Sequence, residues 1–327
     1  MMWTSTRFQV IPRPPPETKV ALLEAAAFTE PDDGINTARK LVDWAAGLFE
    51  ENNLYYGHGT DNARDEAAYL VLRSLDYSLE PTDEVLDRAL DTSHREKVIA
   101  RVRERISTRK PAAYILNEAW FAGLPFYVDE SVLVPRSPLA ELILDGFAPW
   151  CNPEKVRSIL DIGTGSGCIA IACAGAFPQA CIDATDISAP ALAVAEKNIR
   201  RHDLGDRIRL IQYDLFPDLG TTYDLIISNP PYVDNVDMAE LPAEYRHEPK
   251  RGLSGGDDGL DFVIRILKNA ANYLDENGVL VVEVGNGQEK LQQLYPAVPF
   301  LWMEFEHGGD GVFLLTRDEL VNYFPVS

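Results

Sequence analysis

Residues 156–167 read "VRSILDIGTGSG", and the fold turns on how this stretch is taken. Val156, Ile159, Leu160 and Ile162 make an apolar run of strand length, which ends in three glycines spaced two apart before the chain turns helical at Cys168. Glycines between a strand and a helix let backbone N–H groups approach a ligand closely at the helix N-terminus. A purely structural turn has the same composition, so the loop alone is a weak signal. Two features sharpen it. The spacing is D-x-G-x-G-x-G rather than the dinucleotide pattern G-x-G-x-x-G, and Asp186 ends the next strand 25 residues after Asp161, where a carboxylate can hold both hydroxyls of a ribose. Asp161, at the end of the first strand, is placed near a cationic ligand. No G-K-[ST] follows to take a triphosphate, so the pattern points to a nucleoside without phosphates and with a positive centre.

Outward from this loop, strands and helices alternate. "VRSILDIG" is followed by a helix from Cys168 to Gly175, then "ACIDATDI", a helix through Ala191–Arg200, "RIRLIQYD", "YDLIISNP", a helix through Leu260–Leu274, and "GVLVVEVG". This alternation predicts an α/β fold, a mostly parallel sheet with helices on both faces and ligands at the carboxyl ends of its strands. "LWMEFEH" and "GVFLLTR" are expected to close the chain as a hairpin whose last strand is antiparallel.

Ahead of the sheet the texture differs. Residues 1–33, with "PRPPP" at 12–16, read as an extended arm, and 34–118 as a helical domain: Ile35, Ala38, Leu41, Val42, Ala45, Leu48 and Phe49 recur at helical spacing, as do Ala63, Ala67, Leu70 and Val71. Ser93 with Glu96 predicts a capping box before Ile99, Val102 and Ile106, and Pro111 closes that helix. "AWFAGLPFYVDESVLVP", 119–135, alternates like hairpin strands, so 119–150 forms a hairpin and linker ahead of a 151–327 domain. Within "NLYYGHGTDNARDEA", 53–67, a turn pinned by aromatic rings explains His58 better than catalysis does.

The chain has 327 residues, 51 acidic against 30 basic, net −21. Such a surface repels phosphate backbones and attracts cationic proteins, which argues against free DNA and for a basic protein partner. Residues 95–110 run against the trend with seven basic and two acidic side chains; a solvated helix face is the first reading and an RNA contact the second. Cys151, Cys168, Cys173 and Cys181 lack C-x-x-C spacing and read as reduced packing residues, and five scattered histidines give no metal pattern. No metal is expected. The N-terminus lacks a signal-peptide core and no stretch approaches the ~18 apolar residues of a membrane span, so a cytoplasmic protein with no membrane partner is expected.

"SNPPYV", 228–233, follows the fourth strand. Proline cannot continue a strand ladder and holds the residue before it extended, so Asn229 stands at a stiff corner formed by Pro230, Pro231 and Tyr232. Taken with the glycine loop, the chain resembles the methyltransferases that use S-adenosyl-L-methionine on a Rossmann-like seven-stranded sheet, across roughly residues 155–317. The resemblance implies S-adenosylmethionine as cofactor, held by Asp161, Ile162, Gly163, Thr164, Gly165, Asp186 and Ile187. Asp214 and Leu215 would lie beside adenine, and Asn229 beside the transferred methyl. A planar, conjugated NH₂ is a poor nucleophile and must be held face-on to the methyl. The Asn229 side-chain oxygen and the Pro230 carbonyl can accept its two N–H bonds, Pro231 stiffens the corner, and Tyr232 can pack on the planar group.

The N-P-P-Y quartet serves enzymes acting on adenine, guanine and glutamine amides alike. "FAGLPFYVDESVLVPRSPLAELI", 121–143, with "HEPKRGLSGGDDGLDF", 247–262, resembles the protein-(glutamine-N(5)) methyltransferase family over almost the whole chain. Within it, Pro135-Arg136-Ser137-Pro138-Leu139-Ala140-Glu141 departs from the release-factor branch. It resembles the branch that methylates the third protein of the large ribosomal subunit, a basic partner met free or in an assembling particle. That branch implies a helical substrate-recognition domain over 34–118. The release-factor enzyme, a nucleic-acid amine methyltransferase and a non-catalytic cofactor-binding assembly factor remain alternatives. Arg136 and Glu141 fit a site role and a structural ion pair or helix cap equally, Glu248 reads as solvated, Asp257 or Asp258 in "GGDDG" as a helix start, and Glu283 as site support or strand end.

Overall fold

The computed structural model describes residues 28–325, so most of the expected 1–33 arm lies outside the described residues. The chain divides into two compact units: residues 28–118 with Leu241–His247, and Ala119–Glu240 with residues 248–325.

The first unit is helical: α1 (Ala38–Glu51), α2 (Ala63–Ser74), α3 (Asp83–Asp87), α4 (Thr92–Thr108) and α5 (Ala112–Leu116). Thr37 and Asn62 cap the first two helices by accepting the N–H of Lys40 and Asp65. Leu41, Ala45 and Phe49 pack with Leu70, Val98, Val102 and Ile106 in one core. The cap of α4 is Asp91, which accepts the His94 N–H at 2.9 Å, and not the expected Ser93–Glu96 box. The helix therefore starts before Ser93. It ends at left-handed Arg109, while Pro111 opens α5.

The basic run also needs correction as a solvated face. Arg105 is fully buried between Glu66 and Glu244, Arg95 donates to the Ile35, Pro31 and Asp32 carbonyls, and Arg109 bonds the Glu244 carboxylate. Internal partners absorb much of that charge. His58 is buried with its ring 4.5 Å from that of Tyr245 and plays no part in the cavity described below.

The second unit opens with the hairpin β1 (Ala119–Phe121) and β2 (Leu124–Phe126), then α6 (Leu139–Leu144). The expected strand character of 131–135 is absent; this stretch is an irregular strap. Next come β3 (Ser158–Ile162), α7 (Cys168–Ala176), β4 (Cys181–Asp186), α8 (Ala189–Arg201), β5 (Ile208–Gln212) and β6 (Tyr223–Ser228). After them follow α9 (Asn235–Glu240), α10 (Lys250–Leu253), α11 (Asp261–Asn269), β7 (Leu274–Glu283), α12 (Gln288–Leu294), β8 (Leu301–Trp302), β9 (Val312–Thr316) and α13 (Arg317–Tyr323). The seven-stranded sheet has the order β5-β4-β3-β6-β7-β9-β8, with β9 antiparallel to both neighbours and the other pairings parallel. The predicted α/β class and antiparallel last strand are those observed. Two boundaries move: α11 ends at Asn269 rather than reaching Leu274, which instead begins β7, and β8 has two residues rather than the span of "LWMEFEH".

Alternating side chains build a core on each face. Ile159, Leu225, Ile227, Val279 and Val281 face the side with α6 and α7; Leu160, Ile162, Ile226, Leu280 and Val282 face the side with α11 and α13. The chain order reverses between β3 and β6, and a crevice opens there at the carboxyl ends of the strands.

Candidate active site

The turn after β3 carries Gly163, Gly165 and Gly167 at φ of 74°, 55° and 81°, a region that disfavours L side chains. A Cβ on Gly163 would meet nothing within 4 Å, so the space above the turn is open. The Asp186 carboxylate, from the end of β4, accepts the Gly165 N–H at 2.9 Å and the Ser188 N–H at 2.8 Å, which fixes turn and carboxylate together. Burial raises the Asp186 carboxyl above its ordinary value. After β5, Leu215 takes a left-handed φ of 67°, and its carbonyl accepts the Thr185 hydroxyl at 2.9 Å.

These parts enclose one cavity. It is lined by Ile162, Gly163, Thr164, Gly165, Asp186, Ile187, Asp214, Leu215 and all four residues of the corner, Asn229, Pro230, Pro231 and Tyr232. The structure thus brings together every residue assigned to the cofactor or to the amide from the sequence except Asp161. That carboxylate lies behind the turn, fully buried, accepting the Thr164 hydroxyl at 2.6 Å and the Ala170 N–H at 3.2 Å. Strand alternation explains this: like Ile159, Asp161 points to the α7 face. Its Oδ1 is buried with no hydrogen-bond partner, and burial pushes its pKa up to about 7. An orphaned, strained carboxylate oxygen under a glycine turn suits a cation nearby.

At the corner, Ser228 donates its hydroxyl to the Ile162 carbonyl at 2.8 Å and so ties the end of β6 to β3. Among the described residues no hydrogen bond engages the Asn229 side-chain amide. The "GGDDG" stretch clasps the corner from outside: a Cβ on Gly255 would lie 2.7 Å from the Pro231 carbonyl oxygen, and one on Gly259 2.4 Å from that of Tyr232. The glycines are there for close backbone approach. Neither aspartate is the N-cap of α11, which is Leu260; Asp258 accepts the Leu260 N–H and Asp257 accepts from the Asn235 amide.

Several lining residues escaped the sequence reading: Tyr213, Ser166, Cys168, Arg251 and Phe262. Tyr213 and Ile187 are each about half exposed at the rim, two apolar surfaces fit for a planar base. An aromatic next to Asp214 was the signal for Tyr213; Arg251 and Phe262 come from distant segments and left none. Glu248 is buried and paired with Arg136, which corrects its reading as solvated, and Glu141 instead accepts the backbone N–H of Glu306. Burial holds the Cys168 thiol up to about 12, and no His, Cys, Asp or Glu cluster among the described residues could hold a metal ion.

Sheet order, glycine turn and proline corner together define a methyltransferase. The methyltransferase small domain model matches residues 142–244. Two curated relatives are ribosomal protein uL3 glutamine methyltransferases. That of Francisella tularensis is 48% identical over 89% of this chain and 93% of its own. That of Neisseria meningitidis is 47% identical over 90% and 97%. A solved ribosomal protein L11 methylase from Lactobacillus delbrueckii matches with a TM-score of 0.40 and 20% identity, over 57% of this chain and 81% of that one. The chain belongs to the ribosomal protein uL3 glutamine methyltransferase family.

Proposed function

We propose that this protein transfers a methyl group from S-adenosylmethionine to the side-chain amide nitrogen of a glutamine in ribosomal protein uL3. The observation that carries this is the Asn229 side chain, unengaged at the stiff corner of a cavity whose other wall is the glycine turn. The residues present fit the cofactor: the open space above Gly163, the carboxylate of Asp186 for ribose hydroxyls, the rim surfaces of Ile187 and Tyr213 for adenine, and the buried anion of Asp161 behind the turn. When bound, the cofactor supplies an electrophilic methyl on a sulfonium. Asn229 Oδ1 and the Pro230 carbonyl accept the two N–H bonds of the glutamine amide and turn the face of its nitrogen toward that methyl. Both prolines hold the acceptors still, so orientation is supplied before the reaction begins. The nitrogen acidifies as it gains carbon, and its proton leaves afterwards, so no strong base is needed.

The helical unit is the substrate-recognition domain in this reading, and a surface of net −21 favours a basic ribosomal protein. Action in the cytoplasm, where ribosomes assemble, fits a chain with no described helix long and apolar enough to cross a membrane. Incubation with labelled S-adenosylmethionine and purified uL3, release factor and ribosomal RNA tests it. Label on one uL3 glutamine, located by mass spectrometry, is expected; label confined to release factor or RNA overturns the assignment.

A further inference from the structure

Asp214 stands just after β5 in the wall of the cavity, between two residues whose backbone is pinned. On one side the Tyr213 N–H donates to the Asp186 carbonyl at 3.1 Å. On the other, left-handed Leu215 is tied by the Thr185 hydroxyl and packs on the core that α11 covers. The freedom left at Asp214 is that of its side chain. Arg265 removes it: its Nη2 donates to Asp214 Oδ2 at 2.8 Å, across 51 residues of sequence, and among the described residues no hydrogen bond engages Asp214 Oδ1.

The arginine is itself firmly placed. Val263, Ile266 and Leu267 bury the inner face of α11, the Arg265 carbonyl accepts from the Asn269 amide at 2.7 Å, and Phe262, three residues earlier and so on the same side of the helix, lines the cavity. As a stabilising contact the pair is ordinary, since its side chains are 48% and 47% exposed and bridges in water contribute little. Its position gives it another use. A base seated between Ile187 and Tyr213 would cover the pair and exclude water from it, which strengthens each polar contact there.

A carboxylate only accepts, and with Oδ2 held by the guanidinium its other oxygen is left for a donor. Adenine offers one in its exocyclic amine. A 6-oxopurine carries a carbonyl at that place, and two acceptors would face each other. We propose that Arg265 is a positioning residue for cofactor recognition: it commits one oxygen of Asp214 and holds the other toward the amine of adenine, so that the rim selects an aminopurine, a role that rests on the cofactor proposed above.

Calorimetric titration of the full chain with S-adenosylhomocysteine and with S-inosylhomocysteine tests this, because a role in folding alone would move both affinities together. The wild type is expected to bind the adenine ligand about tenfold to a hundredfold more tightly, the range of one hydrogen bond to a charged group. Asp214→Asn, whose amide can offer a donor or an acceptor, should bring the two affinities within about threefold. Arg265→Met should weaken the adenine ligand by about threefold to tenfold, leave the Kd of the inosine ligand within about twofold, and add little to Asp214→Asn in the double variant. A wild type without preference, equal losses for both ligands in Arg265→Met, or losses that multiply in the double variant overturn the role. Should Arg265→Met fail to fold, Arg265→Gln, too short to reach Asp214, takes its place; its preference should narrow in the same way, and an unaltered preference is equally fatal. A wild type that binds neither ligand overturns the cofactor reading and this role with it; one that binds S-adenosylhomocysteine, with indifferent Arg265 variants, overturns this role alone.

Discussion

Arg136 holds Glu248 in a parallel fork, Nη1 to Oε1 at 2.5 Å and Nη2 to Oε2 at 2.7 Å, across 112 residues of sequence. The side chains are 10% and 0% exposed, and Oε1 also accepts the Val134 N–H at 3.0 Å. The fork joins the strap to the loop leading into α10, both of which line the cavity. Removing the guanidinium leaves a buried charge without its partner. Arg136→Ala is therefore expected to destabilise the protein by about 3–5 kcal/mol, and Arg136→Lys to restore charge but not the fork. Denaturant titration measures this; a loss of less than about 1 kcal/mol would place the pair with ordinary surface bridges.

The corner offers a cleaner separation of binding from chemistry. Its backbone is held by the prolines and by the Ser228 hydroxyl on the Ile162 carbonyl, not by the Asn229 side chain. Asn229→Ala should keep cofactor affinity by equilibrium binding and lower single-turnover methyl transfer by on the order of 10²–10³-fold. Turnover near wild type in that variant removes the amide-gripping mechanism.

How far the sequence disclosed this site follows from which parts are local. A buried parallel strand is a short apolar run, and a turn that needs positive φ must be glycine, so β3, the glycine turn and the proline corner were legible. What depended on distant packing was not. Asp257 or Asp258 looked like a helix start because nothing in the sequence says that the backbone of Pro231 and Tyr232 presses on the flanking glycines 255 and 259. Asp161 was expected in the cavity because it ends a strand, yet strand alternation turned it to the α7 face. Glu248 and Arg105 looked solvated because charge is, on average, and their partners lie 112 and 39 residues away.

Asp161 is expected to make cofactor binding and stability depend on pH in a definite direction. Burial pushes its carboxyl up to about 7 in the folded chain, against about 3.9 when unfolded. Between these values the folded chain binds the extra proton, so stability falls as pH rises, and the ionised form is the strained one. A bound cation relieves that strain. The thermal shift given by S-adenosylmethionine should therefore be larger near pH 8 than near pH 6, and Asp161→Asn should remove the difference. Equal shifts at both pH values in the wild type would mean that Asp161 does not sense the cofactor's charge.

The helical unit supplies the last test, because its basic helix contains two kinds of arginine. Arg105 bonds Glu66 at 2.9 and 3.2 Å and the Tyr55 carbonyl at 3.0 Å, while Glu244 lies 3.5 Å from its Nη1 and 3.1 Å from Arg109 Nη1. Two carboxylates and two guanidinium groups thus balance in a nearly dry site. Arg105→Met should lower stability by about 3–5 kcal/mol by leaving Glu66 and Glu244 short of a counter-charge. Adding Glu66→Gln and Glu244→Gln should recover part of the loss, since the penalty is the unpaired charge and not the missing attraction. Arg103, by contrast, is half exposed and pairs with Glu30 at the surface. Arg101→Glu/Arg103→Glu is expected to change stability by no more than about 1 kcal/mol. If that pair of changes also leaves methylation of ribosomal particles intact, the positive charge of α4 serves the fold and not RNA.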